Sequence, residues 1–122
     1  MYRAAIVVLL GAAWAAPCAA AGWIPLLKNT PAEVFEDEDL RLFLDTGAKA
    51  LATDEKGATF DWNNPTTGAG GRFEALGDAP SVGGLPCKRL RMSVYAKKRA
   101  QKSSGLTACR TPEGRWKLAS VR

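Results

Sequence analysis

Cys87 and Cys109 are the side chains here with the most chemistry open to them. A thiolate can be a nucleophile, a metal ligand or half of a disulfide. A cysteine nucleophile needs a base beside it, and the 122-residue chain has no histidine. That removes the Cys-His and Ser-His-Asp arrangements and most zinc sites, while carboxylate-only catalysis survives as an option. Two lone cysteines do not make a zinc set. Nor are they the Cys-x-x-Cys at a helix start that a redox pair uses. The expected chemistry is a structural disulfide.

The start of the chain supports that choice through compartment. Arg3 precedes the apolar run AAIVVLLGAAWAA, which is too short to span a bilayer comfortably. Ala19 and Ala21 then stand at the −3 and −1 positions of a cut before Gly22. Residues 1–21 therefore read as a secretory signal peptide, and residues 22–122 as a single mature domain. Cys18 raises a lipoprotein reading, but Pro17 beside it is a poor processing feature, so Cys18 is expected to leave with the signal peptide. An exported chain meets an oxidising environment, where an even pair of cysteines bonds. No other apolar run is long enough to cross a membrane, so the mature chain is expected to be soluble or peripherally attached.

The elements that would hold the cysteines can be read from periodicity. Leu40, Phe43, Leu44, Gly47, Ala48 and Leu51 recur on one face of an amphipathic helix over about residues 37–52. Thr30-Pro31 reads as a brief earlier helix start with Glu33 closing a capping box. Glu36, Asp37, Glu38 and Asp39 crowd the first turn of the longer helix, where its dipole favours anions. They lack the spacing of a calcium loop. The apolar arm at 23–27 is expected to pack across the domain.

Strands fill residues 57–122. ATFDWNN puts Phe60 and Trp62 on one face, NPTTGAGG is turn chemistry, and GRFEAL is a short strand. GDAPSVGGLP reads as a loose connection. In CKRLRMSVYAKKRAQ, Leu90, Met92, Val94 and Ala96 share a face, and Cys87, Arg89, Arg91, Ser93 and Tyr95 share the other. With a hairpin turn near KKRAQ, one register places Cys87 opposite Cys109, Leu90 opposite Leu106 and Met92 opposite Ser104. It joins apolar residues on one side and both cysteines on the other. Thr111-Pro112-Glu113-Gly114 has a type I turn signature, after which Trp116 and Leu118 cover the same apolar face. The expected fold is α+β: one helix on an antiparallel sheet of about four strands, with a cross-strand disulfide.

Charge is uneven. Residues 22–61 carry nine acids and four bases, whereas residues 62–122 carry three acids and twelve bases. The second half can attract anionic partners. Lys88, Arg89, Arg91, Lys97, Lys98, Arg99 and Lys102 are the candidate anion-binding residues, expected on one polar face, with the tip AKKRAQK a concentrated positive charge. Such a tip also guards a sheet edge against pairing. After export, the partners would be lipopolysaccharide, anionic lipid or a cell-wall polymer rather than nucleic acid.

Three motifs in order, DWNNPTTGAGGRFEAL, GLPCKRLRM and TACRTPEGRWKLAS, resemble the C-terminal domain of the bacterial seventeen-kilodalton surface antigen family over about residues 57–119. LLKNTPAEVFEDEDLRLFL is similar to the N-terminal part of short members. Lys88 follows Cys87 where the family usually has arginine. The lipoprotein signal and glycine-zipper segment of the rickettsial type are not recognised here, which favours a periplasmic or peripherally bound form. The resemblance implies an envelope location and supplies no catalytic residues, cofactor or metal. Arg110 falls within its pattern and has no derived role.

The leading expectation is a non-enzymatic cell-envelope protein, periplasmic or associated with the outer membrane. The alternative is a small periplasmic hydrolase or ligand carrier, with Trp62, Phe73, Tyr95 and Trp116 walling a pocket and Asp61 as its acid.

Overall fold

A computed structural model describes residues 29–121. The signal-peptide reading, Cys18 and the arm at 23–27 lie outside them. A 3-10 turn, Pro31–Val34, precedes helix α1, Asp37–Ala52. Five strands follow: β1 Thr59–Asn64, β2 Ala69–Val82, β3 Leu85–Ala96, β4 Arg99–Arg110 and β5 Trp116–Val121. They form one antiparallel meander in chain order, each strand beside the next. The α+β expectation holds, with five strands rather than about four.

The helix covers one face of the sheet. Phe43, Ala50 and Leu51 from α1 are buried against Trp62, Phe73, Leu90, Met92, Val94, Leu106 and Ala108. Phe35, just before the helix, meets Trp62 edge-on with ring centroids 5.2 Å apart, and Phe43 lies 5.2 Å from Phe73. Such aromatic pairs add to the area they bury. Gly47 lets the helix settle on Phe73, because a Cβ there would stand 3.2 Å from the ring tip.

Two polar ties fix the helix at its ends. At the N-terminal end, Asp39 is 1% exposed, although it reads from sequence as a surface acid. Its Oδ2 accepts the Glu36 backbone N–H at 2.9 Å, and its Oδ1 accepts from Asn64 Nδ2 and Thr67 Oγ1, both at 2.7 Å. Burial pushes this carboxyl upward, but the Glu36 N–H with the Thr67 and Asn64 side chains outweighs it and holds Asp39 below its ordinary value. At the other end, Lys88 Nζ on β3 donates to the carbonyls of Leu51 at 3.0 Å and Thr53 at 2.8 Å, and lies 3.2 Å from Asp54 Oδ1. A cation there satisfies carbonyls that the helix leaves open and complements its dipole.

The expected β3–β4 register is present: Cys87 faces Cys109, Leu90 faces Leu106 and Met92 faces Ser104. The Cys87–Cys109 disulfide spans Cα atoms 4.0 Å apart, the close approach of a directly opposed antiparallel pair. The chain reverses through Lys97-Lys98, with Lys98 at φ 64°. The turn at 111–114 is closed by the Gly114 N–H donating to Thr111 O at 2.9 Å.

The stretch GDAPSVGGLP is not a loose connection. β2 runs through it to Val82, with register shifts at Ala75/Gly77 and Ala79/Val82. Those irregularities absorb Gly77, at φ 96°, and Pro80, which has no N–H to donate. Gly83 and Gly84, both with positive φ, then make the two-residue hairpin turn to β3.

Candidate anion-binding face

Among the described residues, the helix covers one side of the sheet and no element covers the other, the open side. Strand parity assigns each candidate cation to a side. Arg89 and Arg91 share the parity of Ser93 and Tyr95 and stand exposed on the open side. Lys97 and Lys98 form the turn at the end of the β3–β4 hairpin. Arg99 pairs with Ala96 and Lys102 with Val94, which places both on the helix side by register. Arg99 lies 3.7 Å from Glu33 of the 3-10 turn. Lys88 shares the parity of Leu90, and its ammonium is engaged by the C-terminal end of α1. The seven candidates therefore do not form one basic face. Lys88 belongs to the helix anchor, and alternation alone carried that signal: it stands between Cys87 and Arg89, one step out of phase with the open side.

A groove of about 350 Å³ lies on the open side. Arg89 and Arg91 line it from β3, Ser103, Gly105 and Thr107 from β4, Ser120 from β5 and Leu76 from β2. Gly105 pairs with Arg91, and a Cβ at Gly105 would meet nothing within 4 Å. The missing side chain thus leaves room beside a guanidinium. Sequence reading missed Gly105 because a glycine inside a strand carries no charge or ligand atom to notice.

A second groove of about 560 Å³ on the same side is lined by Asp61, Trp62, Asn63, Arg72, Ser93, Tyr95 and Gln101. Arg72 Nε donates to Asp61 Oδ1 at 2.6 Å, and Arg72 NH2 to Asp61 Oδ2 at 3.1 Å. The hydrogen bond from Arg72 holds Asp61 below the usual carboxylate range. Tyr95 lies against Gly70 and receives the Asn63 Nδ2 hydrogen bond at 3.0 Å.

Of the four candidate aromatic residues, Trp62 and Tyr95 line the groove that holds Asp61, and Phe73 and Trp116 do not. Trp62 and Phe73 are core residues under α1. Tyr95 lies on the opposite side, and Trp116 packs at the far end of the sheet. Trp116 there joins Arg110, Lys88, Asp54 and Asp78 around a cleft of about 360 Å³ beside the disulfide. Arg110 is exposed, and its guanidinium lies over the turn glycine, Gly114. The acidic first turn does not gather a cation site: Glu38 pairs with Arg41 at 2.7 Å, and Asp39 is turned into the fold. No set of three or more metal-ligating side chains occurs among the described residues. Among them, no helix is long and apolar enough to cross a membrane.

Comparison with known proteins gives the family. The family model of the 17 kDa outer membrane surface antigen matches residues 49–117, from the end of α1 to the start of β5. The 17 kDa surface antigen of Rickettsia prowazekii (strain Madrid E) is 28% identical over 85 residues, covering 70% of this chain and 53% of that protein. Those of Rickettsia conorii (strain ATCC VR-613 / Malish 7) and Rickettsia rickettsii are 29% identical over the same shares. The chain spans about half the length of the curated relatives it matches. No solved structure matches it. A helix-backed five-stranded meander with a β3–β4 disulfide is thus the form taken by a chain that belongs to the 17 kDa outer membrane surface antigen family.

Proposed function

We propose that this protein is a non-enzymatic component of the cell envelope that binds an anionic envelope constituent through the open side of its sheet. The observation that carries the reading is the placement of Arg89 and Arg91. Both are exposed on the side of the sheet that the helix leaves uncovered, and the Lys97-Lys98 turn extends the positive field from the end of the same hairpin. Export through a signal peptide at residues 1–21, with residence in the periplasm or at the outer membrane, accompanies this proposal. The relatives are named surface antigens, and the disulfide suits an oxidising compartment.

Binding rather than catalysis is favoured by the state of the candidate acid. Asp61 is held by Arg72, and Phe73 and Trp116 lie away from the groove that Asp61 shares with Trp62 and Tyr95.

The test is titration of the purified protein with lipopolysaccharide and with vesicles containing phosphatidylglycerol at increasing salt. Exposed charge is screened over roughly 10 Å at 0.1 M salt. Binding should therefore weaken steeply with salt and fall on Arg89→Gln/Arg91→Gln substitution. Binding that is indifferent to both would contradict the proposal.

A further inference from the structure

We infer that the groove around Gly105 is a discrete site for a phosphate group, with Arg89 and Arg91 as its charged ligands. The inference rests on the proposed anion-binding role and narrows it from a diffuse positive field to a shaped site.

Three features of the groove carry it. First, its charges are of one sign. The groove beside Tyr95 contains Asp61, and the cleft beside the disulfide contains Asp54 and Asp78, so each of those supplies its own anion. The Gly105 groove is lined by two guanidiniums and no carboxylate. Glu74 approaches from its flank, with Arg91 Nε 3.9 Å from Glu74 Oε1. That is too long for a hydrogen bond, so the donor edge of Arg91 is not consumed.

Second, the donors surround the space. Arg89 and Arg91 are two residues apart on one face of β3, roughly 7 Å along the strand, a span that two guanidinium forks can close around one anion. Ser103 and Thr107 stand across from them on β4, and Ser120 lies beyond on β5. The hydroxyls of Ser103, Thr107 and Ser120 have no hydrogen-bond partner among the described residues. A carboxylate presents two oxygens in one plane. A phosphate presents oxygens in several directions, and donors on three strands match that shape.

Third, the room is built into the backbone. Gly105 pairs with Arg91, and nothing lies within 4 Å of where its Cβ would be. It has no positive φ to account for glycine, so a turn-like conformation does not explain it. The absent side chain leaves room in the groove that a larger residue at this position would take.

The test compares three variants of the purified protein against two probes, inorganic phosphate and phosphatidylglycerol vesicles. Gly105→Leu fills the groove without changing charge. Arg89→Gln/Arg91→Gln removes the ligands from exposed positions and serves if the leucine variant does not fold. Lys97→Ser/Lys98→Ser/Arg99→Ser/Lys102→Ser removes the hairpin-tip field. Thermal melting establishes folding.

The site predicts phosphate binding at least ten-fold weaker in the first two variants and a distinctly smaller loss, from the weakened field alone, in the third. Vesicle binding with the same pattern identifies a lipid headgroup as the source; phosphate binding with that pattern and no vesicle binding identifies a soluble phosphorylated ligand. Phosphate affinity that survives both Gly105→Leu and Arg89→Gln/Arg91→Gln overturns the site. If vesicle binding is then lost only in the tip variant, the broader anion-binding proposal stands without it. Absence of binding to either probe overturns both.

Discussion

Asp39 on α1 and Asn64 at the end of β1 are joined by a 2.7 Å hydrogen bond inside the fold, across 25 residues of chain. Thr67, in the turn after β1, donates to the same carboxylate oxygen. The first turn of the helix is thereby locked to the first hairpin of the sheet. Asp39→Ala should cost about 3 kcal/mol, because it leaves the buried Asn64 amide without its acceptor. Chemical denaturation checks this; a loss below about 0.5 kcal/mol, the scale of an ordinary surface substitution, would contradict the lock.

The same carboxylate predicts a pH dependence. Its folded value lies below its unfolded one, so its stabilisation is complete above the unfolded range and is lost as pH falls through the folded value. Unfolding free energy should decline below about pH 4. The decline should be shallower in Asp39→Asn, which starts from lower stability. Parallel acid profiles for the two proteins would exclude Asp39 as the source.

The disulfide closes a loop of sequence separation 22. Cys87→Ser/Cys109→Ser should cost about 3 kcal/mol by the chain-entropy argument, and reductant should lower the melting temperature of wild type but not of the double variant. An equal response of both proteins to reductant would contradict this.

Lys88 and Arg89 are neighbours on opposite sides of the sheet. Lys88→Ala should destabilise the fold by about 1–2 kcal/mol, through loss of charged hydrogen bonds to the Leu51 and Thr53 carbonyls. It should leave binding to anionic vesicles close to wild type. Arg89→Gln should do the reverse. Denaturation and vesicle sedimentation on the same two variants decide the matter.

Two glycines in adjacent pairs of strands should respond oppositely to alanine. At Gly71 the new Cβ would collide with the Ser93 backbone carbonyl, at the β2–β3 pairing. The expected cost is about 1–3 kcal/mol. At Gly105 the Cβ enters open space, and the lost flexibility of glycine should make Gly105→Ala neutral or stabilising by about 0.5 kcal/mol. Melting temperatures that move in the same direction would contradict the packing described here.

The β3–β4 hairpin was legible in the sequence because alternation and a cysteine pair constrain the same register. Only one alignment joins Cys87 to Cys109 while keeping Leu90 against Leu106. The helix was legible from the spacing of Leu40, Phe43, Gly47 and Leu51. The second half of β2 was not, because Gly77, Pro80, Gly83 and Gly84 have the composition of a loop. Long-range pairing with β3 overrides that local preference, and the register shifts accommodate the misfit residues. Asp39 was hidden for a similar reason. An acid in a first helical turn has a sufficient local explanation, while the partners that bury it lie in the hairpin that folds back over it. The candidate cations were found by type and then sorted by position: parity withdraws Lys88 and Lys102 from the open side, and the register shift at the hairpin end withdraws Arg99.

The most direct measurement of the central claim is a map of backbone amide shifts in the labelled protein as anionic lipid or lipopolysaccharide is added. The account predicts perturbations at Arg89, Arg91, Gly105 and Thr107, extending to the Lys97-Lys98 turn, with α1 and Lys88 unmoved. Shifts centred on the helix side, or no shifts at ligand concentrations that saturate other anion-binding proteins, would contradict it.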